Sequence, residues 1–167
     1  MNNYYNFTIK EAKGLFKSDL YFFDIIDSTN TWILNNSSWL KHGDTVEASE
    51  QTSGHGRFLR RWYARYRTSL LMSIALNTST LPPISFQWLT LGAAIAIHQT
   101  LAEMRITSTL KWPNDVLVNN KKIAGILAET TSANKFTALG IGLNAVSYTH
   151  LRAHETPEHL VCRLLLE

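Results

Sequence analysis

Apolar positions along the first half of the chain group into short runs that predict strands. Residues 20–26 are apolar and aromatic, residues 45–50 alternate, and residues 69–76 are apolar almost throughout. These patterns are typical of strands. Asp27 or Ser28 is positioned to cap a short helix that runs to about Asn35.

The second half of the chain predicts one long helix followed by a hairpin. Pro82-Pro83 interrupts the chain, and residues 86–104 then have apolar side chains at helical spacing. Residues 109–112 and 116–118 predict short strands, and the turn at Asn119-Asn120 lets residues 122–129 pair back as a hairpin. Residues 136–141 predict a last strand. The helix has its apolar residues at Leu89, Ala93, Ala96, Ile97 and Leu101.

This alternation predicts an α/β or α+β fold, a mixed sheet with packed helices. The chain has 167 residues, 45% hydrophobic and 17% charged, which suits one domain with a sizeable core. Its net charge of +3 is too small to indicate a nucleic-acid partner by itself. The local arginine density is more informative, because five arginines lie close together: Arg57, Arg60, Arg61, Arg65 and Arg67.

Cysteine content and hydropathy predict a cytoplasmic protein. Cys162 is the single cysteine, which excludes an internal disulfide and fits a reducing compartment. The first 14 residues are polar and lack a signal core, and no stretch approaches the roughly 20 apolar residues of a membrane span.

The segment GHGRFLRRW at residues 54–62 combines glycines, arginines and a tryptophan. Glycines allow the backbone to approach a ligand closely, and Arg57 and Arg60 can bind phosphate or carboxylate through charged hydrogen bonds. Trp62 offers a flat face on which a base can stack. Taken alone, the segment is more typical of a solvated surface loop than of a binding site, and a nucleic-acid-binding patch is a further alternative.

Three further segments carry polar or glycine residues at predicted strand ends. KWPND at 111–115 places a lysine, an amide and a carboxylate around a proline, a set that suits phosphate and Mg²⁺. KIAGIL at 122–127 has Gly125 inside a predicted strand, where a ligand can approach. GIGLN at 140–144 on its own predicts a turn at the end of a strand.

Taken together with DSTN at 27–30, these segments resemble the catalytic domain of biotin protein ligases, the biotin–[acetyl-CoA-carboxylase] ligases. That family carries DSTN, GRGRxGRxW, KWPND, KxxGIL and GxGxN in this order. The resemblance covers roughly residues 20–146, and five ordered motifs are far more specific than one. It implies a fold related to lipoate ligases and class II aminoacyl-tRNA synthetases.

The resemblance also implies a reaction and its partners. Biotin and MgATP would give biotinyl-5′-AMP, and the biotinyl group would pass to a lysine of a biotin carboxyl carrier domain. Neither DNA nor a membrane is an expected partner, and homodimer formation stays open. Asp115 is expected to hold Mg²⁺, and the expected catalytic residues are Lys122, Arg57 and Lys111.

The same resemblance assigns the binding residues to two groups. The expected biotin contacts are Ser28, Thr29, Asn30, Gln51, Gly54, His55, Gly56, Arg57, Lys122 and Gly125. The expected ATP contacts are Arg57, Arg60, Trp62, Lys111, Asn114, Asp115 and Asn144.

Two residues of the loop depart from the family pattern. The family usually has arginine at His55, and a histidine, largely neutral at pH 7, is expected to be a poorer cation. Leu59 replaces a frequent glycine, so a positive φ at this position would strain the backbone. Both departures put the ordering of the loop in question.

The sequence predicts a catalytic domain over residues 1–146, incomplete at its C-terminus, and a non-native tail over residues 147–167. The tail looks like read-through sequence, and its histidines and cysteine match no familiar zinc spacing. About 20 residues precede the first predicted strand, too few for a winged helix-turn-helix, so the chain resembles the monofunctional ligases. The rival hypotheses are a lipoate or octanoate ligase, an inactive fragment, and a basic nucleic-acid-binding module.

Overall fold

The computed structural model describes residues 7–11, 18–79, 85–130 and 136–145. Within these ranges one sheet of eight strands forms the framework. The strands are β1 (Phe7–Glu11), β2 (Asp19–Ile26), β3 (Thr45–Gln51), β4 (Ser69–Asn77), β5 (Thr109–Lys111), β6 (Asp115–Val118), β7 (Lys121–Thr130) and β8 (Phe136–Asn144). Their order across the sheet is β1-β2-β3-β4-β8-β7-β6-β5.

The sheet is mixed because one pair of neighbouring strands runs parallel. β2 and β3 are parallel and are joined through helix α1 (Thr29–Asn36), whereas the other recorded pairs are antiparallel. Helix α2 (Ser85–Glu103) connects β4 to β5, and a 3₁₀ turn forms at Arg57–Leu59. The predicted class, a mixed sheet with packed helices, is confirmed.

The two α-helices cover opposite faces of the sheet. Ala138 belongs to the core around α1, and its neighbour Leu139 belongs to the core around α2. Adjacent residues of a strand point to opposite faces, so the two cores lie on the two sides of β8. The α2 core contains Leu101 and Ile126, and the rest of this face is filled by aliphatic side chains of β6 and β7.

Aromatic packing fixes α1 on its face of the sheet. The Trp32 ring lies 5.2 Å from Tyr21 and 5.3 Å from Phe23, and Ile33 beside it is fully buried. Burial, and then the nearby Asp44 and Asp19, raise the pKa of Tyr21 to about 12. Helix α1 begins where expected, because the Ser28 side chain accepts a hydrogen bond from the Thr31 N–H.

Most predicted elements are confirmed to within one or two residues, with three corrections. A strand, β1, lies in the segment that was expected to precede the first strand. GIGLN is the second half of strand β8 and not a turn. Ala96 lies on the exposed side of α2, although its spacing predicted an inward position. Pro82, Pro83 and the residues after 145 lie outside the described ranges.

Candidate active site

A cavity of about 570 Å³ opens on the face of the sheet that α1 covers. Every residue expected from the sequence to bind biotin or ATP lines it, except Gly54. The structure thus brings together side chains that are up to 116 positions apart, from Ser28 to Asn144. Thr29, Asn30 and Gln51 come from α1 and β3, and Lys111 and Lys122 come from β5 and β7, on the far side of β4 and β8.

The end of the cavity near α1, the neutral end, is built from Thr29, Asn30, Gln51 and Ser73. Gln51 Oε1 accepts hydrogen bonds from the Thr29 N–H at 2.8 Å and from its hydroxyl at 3.1 Å. This contact fixes the orientation of the Gln51 amide, so its Nε2 donor is directed away from Thr29. No described residue accepts a hydrogen bond from that donor, which leaves it available to an acceptor in the cavity.

Ser73 of β4 fastens the N-terminus of α1 to the sheet. Its fully buried hydroxyl lies 2.7 Å from Thr29 Oγ1 and 2.6 Å from Asn30 Oδ1. Opposite Ser73 in the register is Gly140, where a Cβ would lie 2.5 Å from Asn30 Oδ1. A side chain at Gly140 would therefore expel Asn30.

Asn30 completes this network on its other side. Its Nδ2 donates to Glu129 Oε2 at 2.7 Å and, more weakly, to the Leu127 carbonyl at 3.4 Å. Ser28, Thr29 and Asn30 are each at most 4% exposed. Hydrogen bonds within the protein therefore use most of the donors and acceptors of these side chains. Among the neutral groups, Gln51 is the better placed to bind a ligand, because its Nε2 donor is available.

Trp62 forms the middle of the cavity. A Cβ at Gly142 would lie 2.6 Å from its ring, and one at Gly125 would lie 3.0 Å from it. Gly125 and Gly142 are paired across β7 and β8, so the indole packs against a patch of backbone that carries no side chains. Its Nε1 is buried and has no hydrogen-bond partner among the described residues. The expectation that Trp62 lies on adenine stays a prediction.

The opposite end of the cavity, the cationic end, contains Lys122 beside Asp115. Lys122 Nζ lies 2.7 Å from Asp115 Oδ1 and 5.4 Å from the centre of the Trp62 ring. Asp115 Oδ1 is buried and, apart from this ion pair, has no hydrogen-bond partner among the described residues. The pair is therefore an ion pair in which both groups can still take a ligand.

The neighbouring amides of the cationic end support the backbone. Asn114 Nδ2 donates to the Ile126 carbonyl at 2.8 Å, and the Ile126 N–H returns a bond to Asn114 O at 3.0 Å. Asn144 Oδ1 accepts from the Ser69 hydroxyl at 3.0 Å. Their expected contacts with the nucleotide remain predictions.

The loop over residues 54–62 is a small hairpin at the mouth of the cavity. Gly56 N–H donates to Arg60 O at 2.7 Å, and Trp62 N–H donates to Gly54 O at 2.9 Å. Arg57 and Arg60 are exposed, and neither has a carboxylate within 4 Å among the residues described. These side chains are cations available to an anionic ligand.

The tip of this hairpin is strained. Phe58 and Leu59 have φ values of 56° and 57°, a region that side-chain-bearing residues avoid, and both are more than 80% exposed. The sequence raised the question whether Leu59, at a position that is often glycine in the family, has a positive φ. It does, so the backbone is strained at this residue. Neither side chain gains burial in return.

After the hairpin, the chain is attached to the side chain of Asp24 on β2. The Tyr66 hydroxyl donates to Asp24 Oδ1 at 2.6 Å, and Arg67 Nη2 lies 3.7 Å from the same oxygen. This hydrogen bond to Asp24 is the main reason that the pKa of Tyr66 is raised. The contact anchors the end of the arginine-rich segment outside the cavity.

The cavity has few groups that could bind a metal ion. Within the described ranges, no three His, Cys, Asp or Glu side chains are grouped to hold one. Mg²⁺ in nucleotide sites commonly uses one or two carboxylates together with phosphate oxygens. The Asp115 carboxylate, whose side chain is 20% exposed, fits that kind of site. The expected Mg²⁺ remains a prediction.

Sequence reasoning missed two residues of the site, Ser73 and Glu129. Both lie inside strands that the sequence predicted, among apolar or small residues. Polar residues at inward positions of a buried strand were the available signal, because a buried polar group needs a partner. Their partners on α1 and the loop become apparent only from the sheet register.

Residues 22–145 match the model of the Biotin/lipoate A/B protein ligase family, and the chain belongs to this family. It is 39% identical over 106 residues to a biotin–[acetyl-CoA-carboxylase] ligase of Mycobacterium tuberculosis, covering 61% of this chain and 39% of that protein. It is 35% identical over 132 residues to the bifunctional ligase/repressor BirA of Bacillus subtilis, covering 75% and 40%. The chain thus spans about two fifths of the length of these curated relatives.

Solved structures of biotin protein ligases share this fold. The biotin protein ligase of Aquifex aeolicus in complex with biotin and ATP superposes with a TM-score of 0.63 and 29% identity, covering 79% of this chain and 54% of that one. The Leishmania major enzyme in complex with biotinyl-5-AMP gives a TM-score of 0.63 and 26% identity, covering 78% and 59%. The expected resemblance to biotin protein ligases is confirmed.

Neither of the helices in the described part of the chain combines the length and the hydropathy that spanning a bilayer requires.

Proposed function

We propose that this domain activates biotin with ATP to biotinyl-5′-AMP and transfers the biotinyl group to a lysine of a biotin carboxyl carrier domain. The observation that carries the proposal is the composition of the cavity. One end presents neutral donors and acceptors, the other presents lysines, and the hairpin at the mouth carries Arg57 and Arg60, which have no carboxylate within 4 Å among the described residues. A ligand that fills it should have a neutral polar head and a strongly anionic tail, as biotinyl-AMP does.

The first step joins two anions, which is the main obstacle to the reaction. A carboxylate oxygen of biotin attacks the α-phosphorus of ATP, the bond to the β-phosphate oxygen breaks, and pyrophosphate leaves. Cations that are in place before the reaction stabilise the charge that develops. Lys122, Lys111 and Arg57 are proposed for this role, and Arg60 is proposed to bind phosphate.

The second step requires no nucleophile from the cavity. The amine of the carrier lysine attacks the acyl carbon of the mixed anhydride, and AMP departs with the bonding electron pair. The domain has to retain the adenylate and exclude water until the carrier arrives. The loop over residues 54–62 is proposed to provide this cover.

The neutral end is proposed to select biotin. Gln51 has an available Nε2 donor beside Thr29, which suits the carbonyl oxygen of a ureido ring. A lipoyl group lacks such an oxygen in its ring and would leave this donor, on the partly buried Gln51, without a partner in the ligand. This contrast favours biotin over lipoate.

Asp115 is proposed to hold Mg²⁺ together with the nucleotide phosphates. When bound there, Mg²⁺ would neutralise phosphate charge next to Lys122. The proposal also includes a biotin carboxyl carrier domain as the protein substrate and a cytoplasmic location.

Biotin-dependent exchange of pyrophosphate into ATP tests the proposed function. We expect exchange with biotin and little exchange with lipoate when the 167-residue chain is assayed under identical conditions. Exchange with lipoate alone would replace biotin by lipoate as the substrate. Absence of exchange with either acid, combined with salt-sensitive RNA binding, would instead favour the basic nucleic-acid-binding module.

A further inference from the structure

Glu129 of β7 holds a residue that lines the neutral end of the cavity. Its Oε2 accepts a hydrogen bond from Asn30 Nδ2 at 2.7 Å. Asn30 lines the cavity, whereas Glu129 is not among the described residues that do so. The shortest route from Glu129 to a ligand at the neutral end therefore passes through the Asn30 side chain.

Contacts on both sides of Asn30 determine which way round its amide lies. A carboxylate oxygen only accepts hydrogen bonds, so the amide nitrogen has to face Glu129. Nδ2 also donates, more weakly, to a second acceptor, the Leu127 carbonyl, at 3.4 Å. The amide oxygen then faces the Ser73 hydroxyl, which donates to Oδ1 at 2.6 Å. A reversed amide would set its oxygen against two acceptors.

This orientation decides what Asn30 can offer to a ligand. Both protons of Nδ2 have acceptors within the protein, whereas a carbonyl oxygen has two lone pairs and Oδ1 uses one of them for Ser73. Toward the cavity Asn30 is therefore an acceptor, at the same end as the available Nε2 donor of Gln51. An acceptor and a donor together suit a ring that carries both an N–H group and a carbonyl, as a cyclic urea does.

Asn30 has little access to other partners. It is 4% exposed, and it fills the space above Gly140, where a Cβ would lie 2.5 Å from its Oδ1. Water is therefore poorly placed to replace a lost hydrogen bond. Without the carboxylate of Glu129, Nδ2 would keep only the weak bond to Leu127, and the strongest contact that orients the amide would be absent.

Glu129 also contacts the loop over residues 54–62. His55 Nε2 lies 3.2 Å from each oxygen of the carboxylate. A change at Glu129 has two routes to the reaction, one through Asn30 and one through the loop. The routes predict different kinetics, because Asn30 lies at the neutral end whereas the loop carries the arginines that are proposed to bind phosphate.

We propose that Glu129 is a positioning residue that fixes the Asn30 amide, so that its carbonyl oxygen is available to an N–H group of the ring that the cavity binds. The identity of that ring as the ureido group of biotin rests on the proposed function. Glu129 thereby lowers the KM for biotin and has little effect on the KM for ATP or on kcat.

The positioning is tested without a ligand by NMR of the Asn30 side-chain NH₂ group. In the parent, its protons should exchange with water at least about tenfold more slowly than those of Asn119, an exposed amide in a turn. Glu129→Met lacks an oxygen acceptor and should abolish this protection, whereas Glu129→Gln keeps one and should preserve it. Exchange in the parent that is as fast at Asn30 as at Asn119 would overturn the proposal.

The functional part is tested by the kinetics of pyrophosphate exchange. Glu129→Met should raise the KM for biotin about tenfold and leave the KM for ATP and kcat within about twofold of the parent, because only the head-group contact is disturbed. Glu129→Gln should restore the KM for biotin to within about threefold of the parent. Glu47→Met, at a partly buried glutamate of β3 that does not line the cavity, is the matched control and should behave as the parent does. A rise in the KM for ATP alone would assign Glu129 to the loop and contradict the proposal.

A double-mutant cycle separates the two routes a second time. If Glu129 acts through Asn30, adding Glu129→Met to Asn30→Ala should change the KM for biotin less than about twofold, since the residue that transmits the effect is already absent. A tenfold effect of Glu129→Met that persists in the Asn30→Ala background would refute the route through Asn30.

The outcomes distinguish this proposal from the proposed function. A parent that shows no exchange with biotin, but a protected Asn30 amide that depends on Glu129, retains the positioning and rejects the substrate. Exchange with biotin at an unchanged KM in Glu129→Met retains the function and rejects the role of Glu129. Melting temperatures identify any variant that fails to fold, and the protection of the Asn30 amide in the parent then decides.

Discussion

The neutral end of the cavity and the hairpin at its mouth differ in how firmly they are held. At the neutral end, Thr29 and Asn30 are buried and hydrogen-bonded to Ser73, Gln51 and Glu129. At the hairpin, Arg57 and Arg60 are exposed and the tip carries two residues at positive φ. One region is organised before a ligand arrives, and the other has few contacts that would organise it.

This difference suits the order of events in the proposed reaction. A preorganised head-group site avoids the entropic cost of ordering side chains on binding. A hairpin with little burial can open for the substrate and close over the product, at the expense of a lower intrinsic stability. The cations also differ in how firmly they are held. Lys122 lies on strand β7, whereas Arg57 and Arg60 lie on the hairpin.

The largest effect is expected from removing the cation that is fixed on β7. Lys122→Ala should lower the rate of adenylate formation about 100-fold, the size seen when one preorganised stabilising group is lost. Rapid-quench measurement of adenylate formation gives this rate. Lys41→Ala, at a lysine that is 71% exposed and paired with Asp19 at 3.6 Å, is the matched control and should retain it. Adenylate formation at the parent's rate in Lys122→Ala would refute the assignment of Lys122.

The preorganisation of the neutral end is tested by two serines of the same strand. Ser73→Ala should reduce the free energy of unfolding by about 1–3 kcal/mol, because it removes a buried hydroxyl that lies between Thr29 Oγ1 and Asn30 Oδ1 and leaves one of these oxygens short of a donor. Ser69→Ala, at the other end of β4, removes a more exposed bond to Asn144 and should cost less than about 1 kcal/mol. Urea denaturation measures both, and equal losses would contradict the contrast between the two ends.

The bare backbone under Trp62 is tested by adding one methyl group. Gly142→Ala would bring a Cβ to 2.6 Å from the indole and should displace it, so that adenylate binding weakens about tenfold, or about 1.4 kcal/mol. Isothermal calorimetry with a non-hydrolysable biotinyl-AMP analogue gives the affinity. Gly92→Ala is the control on α2, where nothing lies within 4 Å, and it should stabilise the fold by about 0.5–1 kcal/mol. Unchanged affinity in Gly142→Ala would mean that the indole position is unimportant.

The smallest effect concerns the strained tip of the hairpin. Leu59→Gly should stabilise the protein by about 0.5–1 kcal/mol, because glycine adopts positive φ without the steric cost that leucine has. Arg60→Gly, at φ −64°, relieves no strain and should be destabilising by a similar amount. Thermal denaturation compares the two variants. If both lower the melting temperature, strain at Leu59 is absent in solution.

Most helices and strands were predictable from the sequence, because the long apolar runs and the N-cap at Ser28 are local signals that do not depend on distant parts of the chain. Sequence reasoning missed β1, whose segment FTIKE is short and interspersed with charged residues, and which gains its place by pairing with β2. It interpreted GIGLN as a turn because glycine usually ends strands. In the structure, Gly140 and Gly142 remain in β8, where they leave room for Asn30 and Trp62.

The site was predictable to the extent that its residues lie in compact motifs. Ser73 and Glu129 lie in strands, and their relevance follows from the register that sets them opposite Gly140 and beside α1. Register depends on contacts between distant parts of the chain, which hydrophobic patterning does not specify. The same reason applies to the pairing of His55 with Glu129 across 74 positions.

The central claim is that one cavity holds biotin at its neutral end and the nucleotide phosphates at its cationic end. The most direct measurement is mass spectrometry of the species that remains bound after the 167-residue chain is incubated with biotin and MgATP and desalted. The account predicts biotinyl-5′-AMP, and predicts its absence from Lys122→Ala but not from Lys41→Ala. Recovery of no adenylate with biotin while lipoate yields lipoyl-AMP would contradict it.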